Sequence, residues 1–81
     1  MFSSAYVWAK IISYLEERLT ASTVSAWFDD TQVLELTDDH LIIFCPDEFR
    51  RETIANRCAP YIHEALQEIC DCKAKLRVLD Q

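Results

Sequence analysis

The sequence predicts one α+β domain spanning residues 1–81, with the element order α-α-β-β-α-β. Three observations carry that expectation. Apolar residues recur at helical spacing near the start of the chain and again after residue 53. Two short runs rich in branched apolar residues lie between those stretches, and a strictly alternating run closes the chain. Eighty-one residues is also the size of one small domain, with no repeat, linker or low-complexity segment to divide it.

The first helix is expected over residues 5–19. Trp8, Ile11, Ile12, Leu15 and Leu19 make one apolar face, Ser3 or Ser4 is suited to the N-cap, and Glu16, Glu17 and Arg18 take the solvent side. Thr20-Ala21-Ser22 leaves room only for a tight corner. A short second helix follows, capped by Thr20 or Ser22 and anchored by Val24, Trp27 and Phe28. Asp29-Asp30-Thr31 ends it. Gln32 to Thr37 reads as a strand, Asp38-Asp39 as a turn, and the apolar run His40 to Cys45 as a second, well-covered strand, so the two form a hairpin closed by Pro46. Asp47 is a good N-cap for a third helix, with Glu48 favouring its positive end. Ile54, Cys58, Tyr61, Ile62, Ala65, Leu66 and Ile69 carry that helix to about residue 70. Pro60 has no N–H to give, so a kink or break is expected there. Last, Ala74, Leu76 and Val78 alternate with Lys73, Lys75 and Arg77, the period of a strand with one dry and one wet face. Helices are expected to cover the apolar face of the three strands.

Composition narrows the function. The chain contains no glycine. A P-loop, a dinucleotide-binding G-x-G-x-x-G turn and a nucleophile elbow all depend on glycine, and none can be built here. With 14 Asp+Glu against 8 Lys+Arg, the net charge of −6 disfavours sequence-independent nucleic-acid binding and attachment to an anionic membrane. Local basic groups remain at Arg50, Arg51 and Arg57, and at Lys73, Lys75 and Arg77. No leader and no apolar stretch long enough to span a bilayer is read, so a cytoplasmic location with reduced thiols is expected for Cys45, Cys58, Cys70 and Cys72. Cys70-x-Cys72 lacks the spacing of a zinc pair, and neither a metal nor another cofactor is expected.

The pattern of residues resembles a known family, the N-terminal domain (domain I) of the bacterial chromosomal replication initiator DnaA. The likeness runs over residues 6–79. It is carried by Trp8, Leu15 and Leu19 in the first helix, then by Ser25-Ala26-Trp27-Phe28. Leu36-Thr37-Asp38-Asp39-His40-Leu41 follows, and Pro46-Asp47-Glu48-Phe49 stands where the family has P-N-x-F. No single piece is specific; together, in order and at matching spacing, they are. The resemblance implies an α-α-β-β-α-β fold similar to a type II KH topology. It also implies function by contact: self-association at the origin, recruitment of the replicative helicase, and binding of initiation regulator proteins. ATP binding and origin recognition belong to later domains of such initiators and find no counterpart in these residues.

Carried over residue by residue, the resemblance makes Trp8 a self-association residue and Phe49 a contact for helicase or regulators. Thr23 stands where some members carry a helicase-contacting glutamate, so that carboxylate is missing here. Each has a second role that fits. Trp8 also suits a partly buried core position on its stripe, Phe49 a local contact fixing the helix entry, and Ser22 or Thr23 a helix cap. Trp27 and Phe28 read as core.

Two other classes of function are weighed. The paired carboxylates Asp29-Asp30 and Asp38-Asp39 sit at turns, where Asp is ordinary. His40 and His63 have no nucleophile at a recognisable spacing, although Cys58 or Cys70 can be paired with His63, so no enzyme and no small-molecule substrate is expected. A KH-like single-stranded nucleic-acid domain is the alternative. KH domains grip the backbone through a GXXG loop, which this chain cannot supply, leaving a weak contact to single-stranded DNA through Arg50, Arg51 and Arg57, or through the last strand. Those arginines equally fit a solvated face pairing with Glu48 and Glu52. A stand-alone homologue that competes with the initiator for the same contacts is a further alternative.

Overall fold

The computed structural model describes residues 3–71 and 73–80. Ser3 caps the first helix, α1 (Ser4–Arg18), its hydroxyl accepting the Tyr6 N–H at 3.1 Å. The buried residues of α1 are Val7, Ile11 and Leu15, four apart, while Trp8, Ile12 and Leu19 pack half-buried beside them. The inner edge of the apolar stripe therefore runs through Val7, and Trp8 stands on its flank.

The corner between the first two helices turns on Thr20. Its hydroxyl accepts the Thr23 N–H at 3.2 Å and donates to the Thr23 hydroxyl at 3.0 Å, so Thr20 rather than Ser22 or Thr23 caps α2 (Ala21–Phe28). Val24 and Phe28 point into the core. Asp30 then adopts a left-handed conformation (φ 67°), which Asp tolerates better than most residues. The N–H and hydroxyl of Thr31 close the turn on the Phe28 carbonyl at 3.1 and 2.6 Å.

Strand β1 (Gln32–Leu36) pairs antiparallel with β2 (His40–Phe44). A bulge between Val33 and Glu35 leaves Leu34 53% exposed. In the turn, the Thr37 hydroxyl accepts the N–H groups of Asp39 and His40, both at 3.1 Å. The His40 ring meets the Glu35 carboxylate across the hairpin. Strand β3 (Lys75–Leu79) joins the other side of β2 in parallel, with Leu41 opposite Leu76 and Ile43 opposite Val78. The sheet order is β1-β2-β3, so β2 is central.

A parallel partner has to be reached by a crossover, and the third helical segment supplies it. Asp47 caps α3 (Glu48–Thr53) by accepting the Phe49 N–H at 2.9 Å. A π-helical turn, Ile54–Cys58, leads into α4 (Ala59–Cys70), where Pro60 occupies the first turn. The expected kink is resolved by widening instead of breaking. An α-helical Pro60 would press its ring on the carbonyl four residues back, and the wider turn before it relieves that contact. Ile54, Cys58 and Ile62 consequently all remain buried. The segment ends on Asp71 in the left-handed region (φ 51°).

One cluster unites Ile11, Leu15, Leu41, Ile43, Ile54, Ile62 and Leu66, all fully buried. The helices therefore lie against the sheet face that carries Leu41, Ile43 and Val78. No buried residue among those described is polar or charged. On the surface, Tyr14 and Arg18 of α1 meet Glu64 of α4. The Tyr14 hydroxyl donates to the carboxylate at 2.6 Å, and the guanidinium donates to the same hydroxyl at 2.7 Å. The Glu64 carboxylate, by accepting that proton, raises the Tyr14 pKa above its ordinary value, with desolvation adding to it. Cys45 and Cys58 are buried thiols, and burial pushes Cys58 up. Cys70 is exposed; Cys72 lies outside the described residues. No helix among the described residues is long and apolar enough to cross a membrane.

Candidate protein-interaction surface

The end of α2 and the start of α3 meet at one corner, and the meeting is built from residues far apart in sequence. Arg50, in the first turn of α3, donates through Nη1 to the carbonyl of Asp29 at 2.8 Å. Its Nε also lies 3.6 Å from the Asp47 carboxylate. Asp29 is held from the other side by the Ser25 hydroxyl at 2.7 Å. These contacts fix the α3 entry against the C-terminal end of α2.

Phe49 follows from that docking. It is 68% exposed, the most exposed large apolar side chain among the described residues. Its ring leans on Trp27, with centroids 5.8 Å apart and planes at 49°, a tilted contact of the kind aromatic quadrupoles favour. Trp27 is half-buried, packed against the core on one side and supporting Phe49 on the other. Thr23 lies one turn earlier on α2, so helical spacing puts it on the same face of α2 as Trp27, which Phe49 contacts. Thr23 presents a hydroxyl already tied to Thr20 and no charge. Phe49 also borders a shallow hollow of about 160 Å³ formed with Glu52, Thr53, Asn56 and Arg57.

Trp8 belongs elsewhere. It is half-buried on α1 and packs against Phe28, with ring centroids 6.0 Å apart. Trp27 and Phe28 are adjacent on α2 and so project about 100° apart. One therefore serves the Phe49 surface and the other the Trp8 contact, and α2 stands between the two.

The three arginines do not act as a set. Arg51 donates through Nε to Asp80 at 3.0 Å, stitching α3 to the end of β3, and sits 3.6 Å from Glu52. Arg50 is held by Asp29 and Asp47. Both side chains are partly buried by these partners, at 18% and 27% exposed. Arg57 is exposed beside the Phe49 hollow. Of the pairings expected from sequence, Arg51–Glu52 forms, while Arg50 takes Asp47. Trp27, expected in the core, packs against it on one side, but its other side carries Phe49, which a Trp on a short helix does not announce. The four-residue spacing from Thr23 to Trp27 was the available clue.

The fold is a small α+β domain that holds the Trp27–Phe49 contact at a helix–helix corner. The chain belongs to the DnaA N-terminal domain family, which matches it over residues 5–68. It is 29% identical over 70 residues to the chromosomal replication initiator protein DnaA of Geotalea uraniireducens, covering 86% of this chain. It is 27% identical over 73 residues to the protein of the same name from Geobacter sulfurreducens, covering 90% of this chain. The match takes in 16% of the length of either relative.

Proposed function

We propose that this domain is a protein–protein interaction module of replication initiation that works in the cytoplasm by contact, without chemistry of its own. Its tasks are to associate weakly with further copies of the initiator, to recruit the replicative helicase, and to bind regulators of initiation. Thr23, Trp27 and Phe49 form the docking surface for helicase or regulator. Trp8, on the other side of α2, supports self-association. The observation that carries the reading is the 68% exposure of Phe49 on a Trp27 platform. An exposed aromatic held on a rigid platform is the kind of anchor that dominates interface energetics.

The test is an NMR titration of the isotopically labelled domain with the cognate replicative helicase, run beside one with single-stranded DNA. Shifts centred on Thr23, Trp27 and Phe49 with helicase are the expected result. Phe49→Ala should weaken that binding by about 2 kcal/mol, roughly thirtyfold in Kd. Its effect on stability should stay within about 1.5 kcal/mol, the upper worth of an aromatic pair. Shifts confined to Arg57 and its neighbours with DNA, disappearing as salt is added, would replace this reading with nucleic-acid binding.

A further inference from the structure

Strand β3 stands at an edge of the sheet, paired with β2 alone. Beside its beginning runs an open groove of about 460 Å³, lined by His63 and Gln67 from α4 and by Lys73, Ala74, Lys75 and Leu76. His63 and Gln67 are one helical turn apart, so the groove has a helix for one wall and a strand edge for the other. The groove shares no residue with the Phe49 surface. Its chemistry is also opposite to that of the molecule. The domain carries a net charge of −6, yet Lys73 and Lys75 line this groove in exposed positions and Arg77 follows, exposed, further along β3; among the described residues none of the three is in an ion pair. Ala74 is buried and Leu76 half-buried, giving the groove an apolar floor between basic side chains.

We propose that this groove binds an extended acidic peptide segment of a partner protein, which adds to the edge of β3 as a fourth strand. An edge strand offers a row of unmet backbone donors and acceptors, and an extended chain is the ligand that can satisfy them in sequence. The side-chain pattern of β3 then dictates the partner. Ala74, Leu76 and Val78 face the helices, while Lys75 and Arg77 face outward. A paired strand alternates in the same way. Its apolar residues fall over Leu76 and the groove floor, and its acidic residues stand opposite Lys75 and Arg77, where opposite charges stabilise a cross-strand pair. The segment it selects alternates acidic and apolar residues. Two competing occupants fit less well. A second copy of β3 would set lysine against lysine and be repelled. A nucleic-acid strand finds no Phe, Tyr or Trp among the lining residues on which to stack a base.

The probe is an acetylated and amidated peptide, Glu-Leu-Glu-Val-Glu, titrated into the labelled 81-residue domain, with Lys-Leu-Lys-Val-Lys and oligothymidylate as comparators. Amide shifts are expected at Ala74–Val78, His63 and Gln67, with new protection of β3 amides from hydrogen exchange and no change at Phe49. The double variant Lys75→Glu/Arg77→Glu, at two exposed positions, should weaken binding at least tenfold. Lys73→Glu, outside the strand, reads the same loss should the double variant not fold. Silence of β3 at millimolar acidic peptide overturns the proposal, as does equal binding of the lysine peptide. Shifts in this groove with oligothymidylate and none with peptide would make it a nucleic-acid site instead.

Discussion

Thr20 carries φ 121° and ψ 153°, a region of backbone space open almost only to glycine. A chain without glycine has accepted that strain at the corner between α1 and α2 and offsets it with the cap the Thr20 hydroxyl makes. The two contributions can be separated. Thr20→Gly removes the strain and keeps most of the capping preference, so urea unfolding should show it neutral to about 1 kcal/mol more stable. Thr20→Ala keeps the strain and loses the cap, and should be about 1 kcal/mol less stable. Which residue would cap this helix was not legible from composition, since Thr20 and Ser22 both have the chemistry. The φ angle that decides between them is imposed by how α1 and α2 pack. Phe49 was legible as an exposed aromatic because it follows a proline and a good N-cap. Its seat on Trp27 was not, because that contact joins residues 22 apart in sequence through tertiary packing alone.

At the scale of elements, the order α-α-β-β-α-β was readable because each stretch has one clear period and the punctuation is strong. The alternation of Lys73, Lys75 and Arg77 with Ala74, Leu76 and Val78 predicts the half-wet strand that is found. The direction of β3 is not written in that pattern, because alternation is the same for parallel and antiparallel neighbours. Pro60 announced a disturbance but not its kind. Whether a helix breaks, bends or widens depends on what its buried side requires, and here Ile54, Cys58 and Ile62 all stay in the core. The π-helical turn leaves the i→i+4 hydrogen-bond ladder of its flanks, a rare arrangement found as single turns inside α-helices. Amides within Ile54–Cys58 should therefore exchange with solvent measurably faster than those of Ile62–Leu66, as followed by hydrogen–deuterium exchange. Equal protection through both segments would show the turn to be as firmly bonded as the α-helix around it.

For the whole molecule, charge governs how copies meet. Two domains each at −6 repel, and salt screens that repulsion. The self-association proposed for the Trp8 side should strengthen as sodium chloride is raised from about 20 to 150 mM, where the Debye length has fallen to about 8 Å. Sedimentation velocity reads the change, and Trp8→Ala should abolish it. Weakening with salt would point to a contact made of opposite charges. The parallel pairing of β2 with β3 has a consequence for how the domain comes into being. The central strand β2 meets its hairpin partner β1 within a few residues, but its other neighbour arrives only after a helical segment of more than twenty residues. That pairing has a long loop to close, which places it among the slow steps of folding. Until β3 emerges, one edge of β2 stays open beside Leu41 and Ile43, while Cys45 lacks the Leu79 carbonyl and Arg51 lacks Asp80. A fragment ended at residue 68, where the family match stops, would be held permanently at that stage: an unclosed sheet inviting its own aggregation. Only a chain carried through Leu79 contains the strand that covers this side of β2.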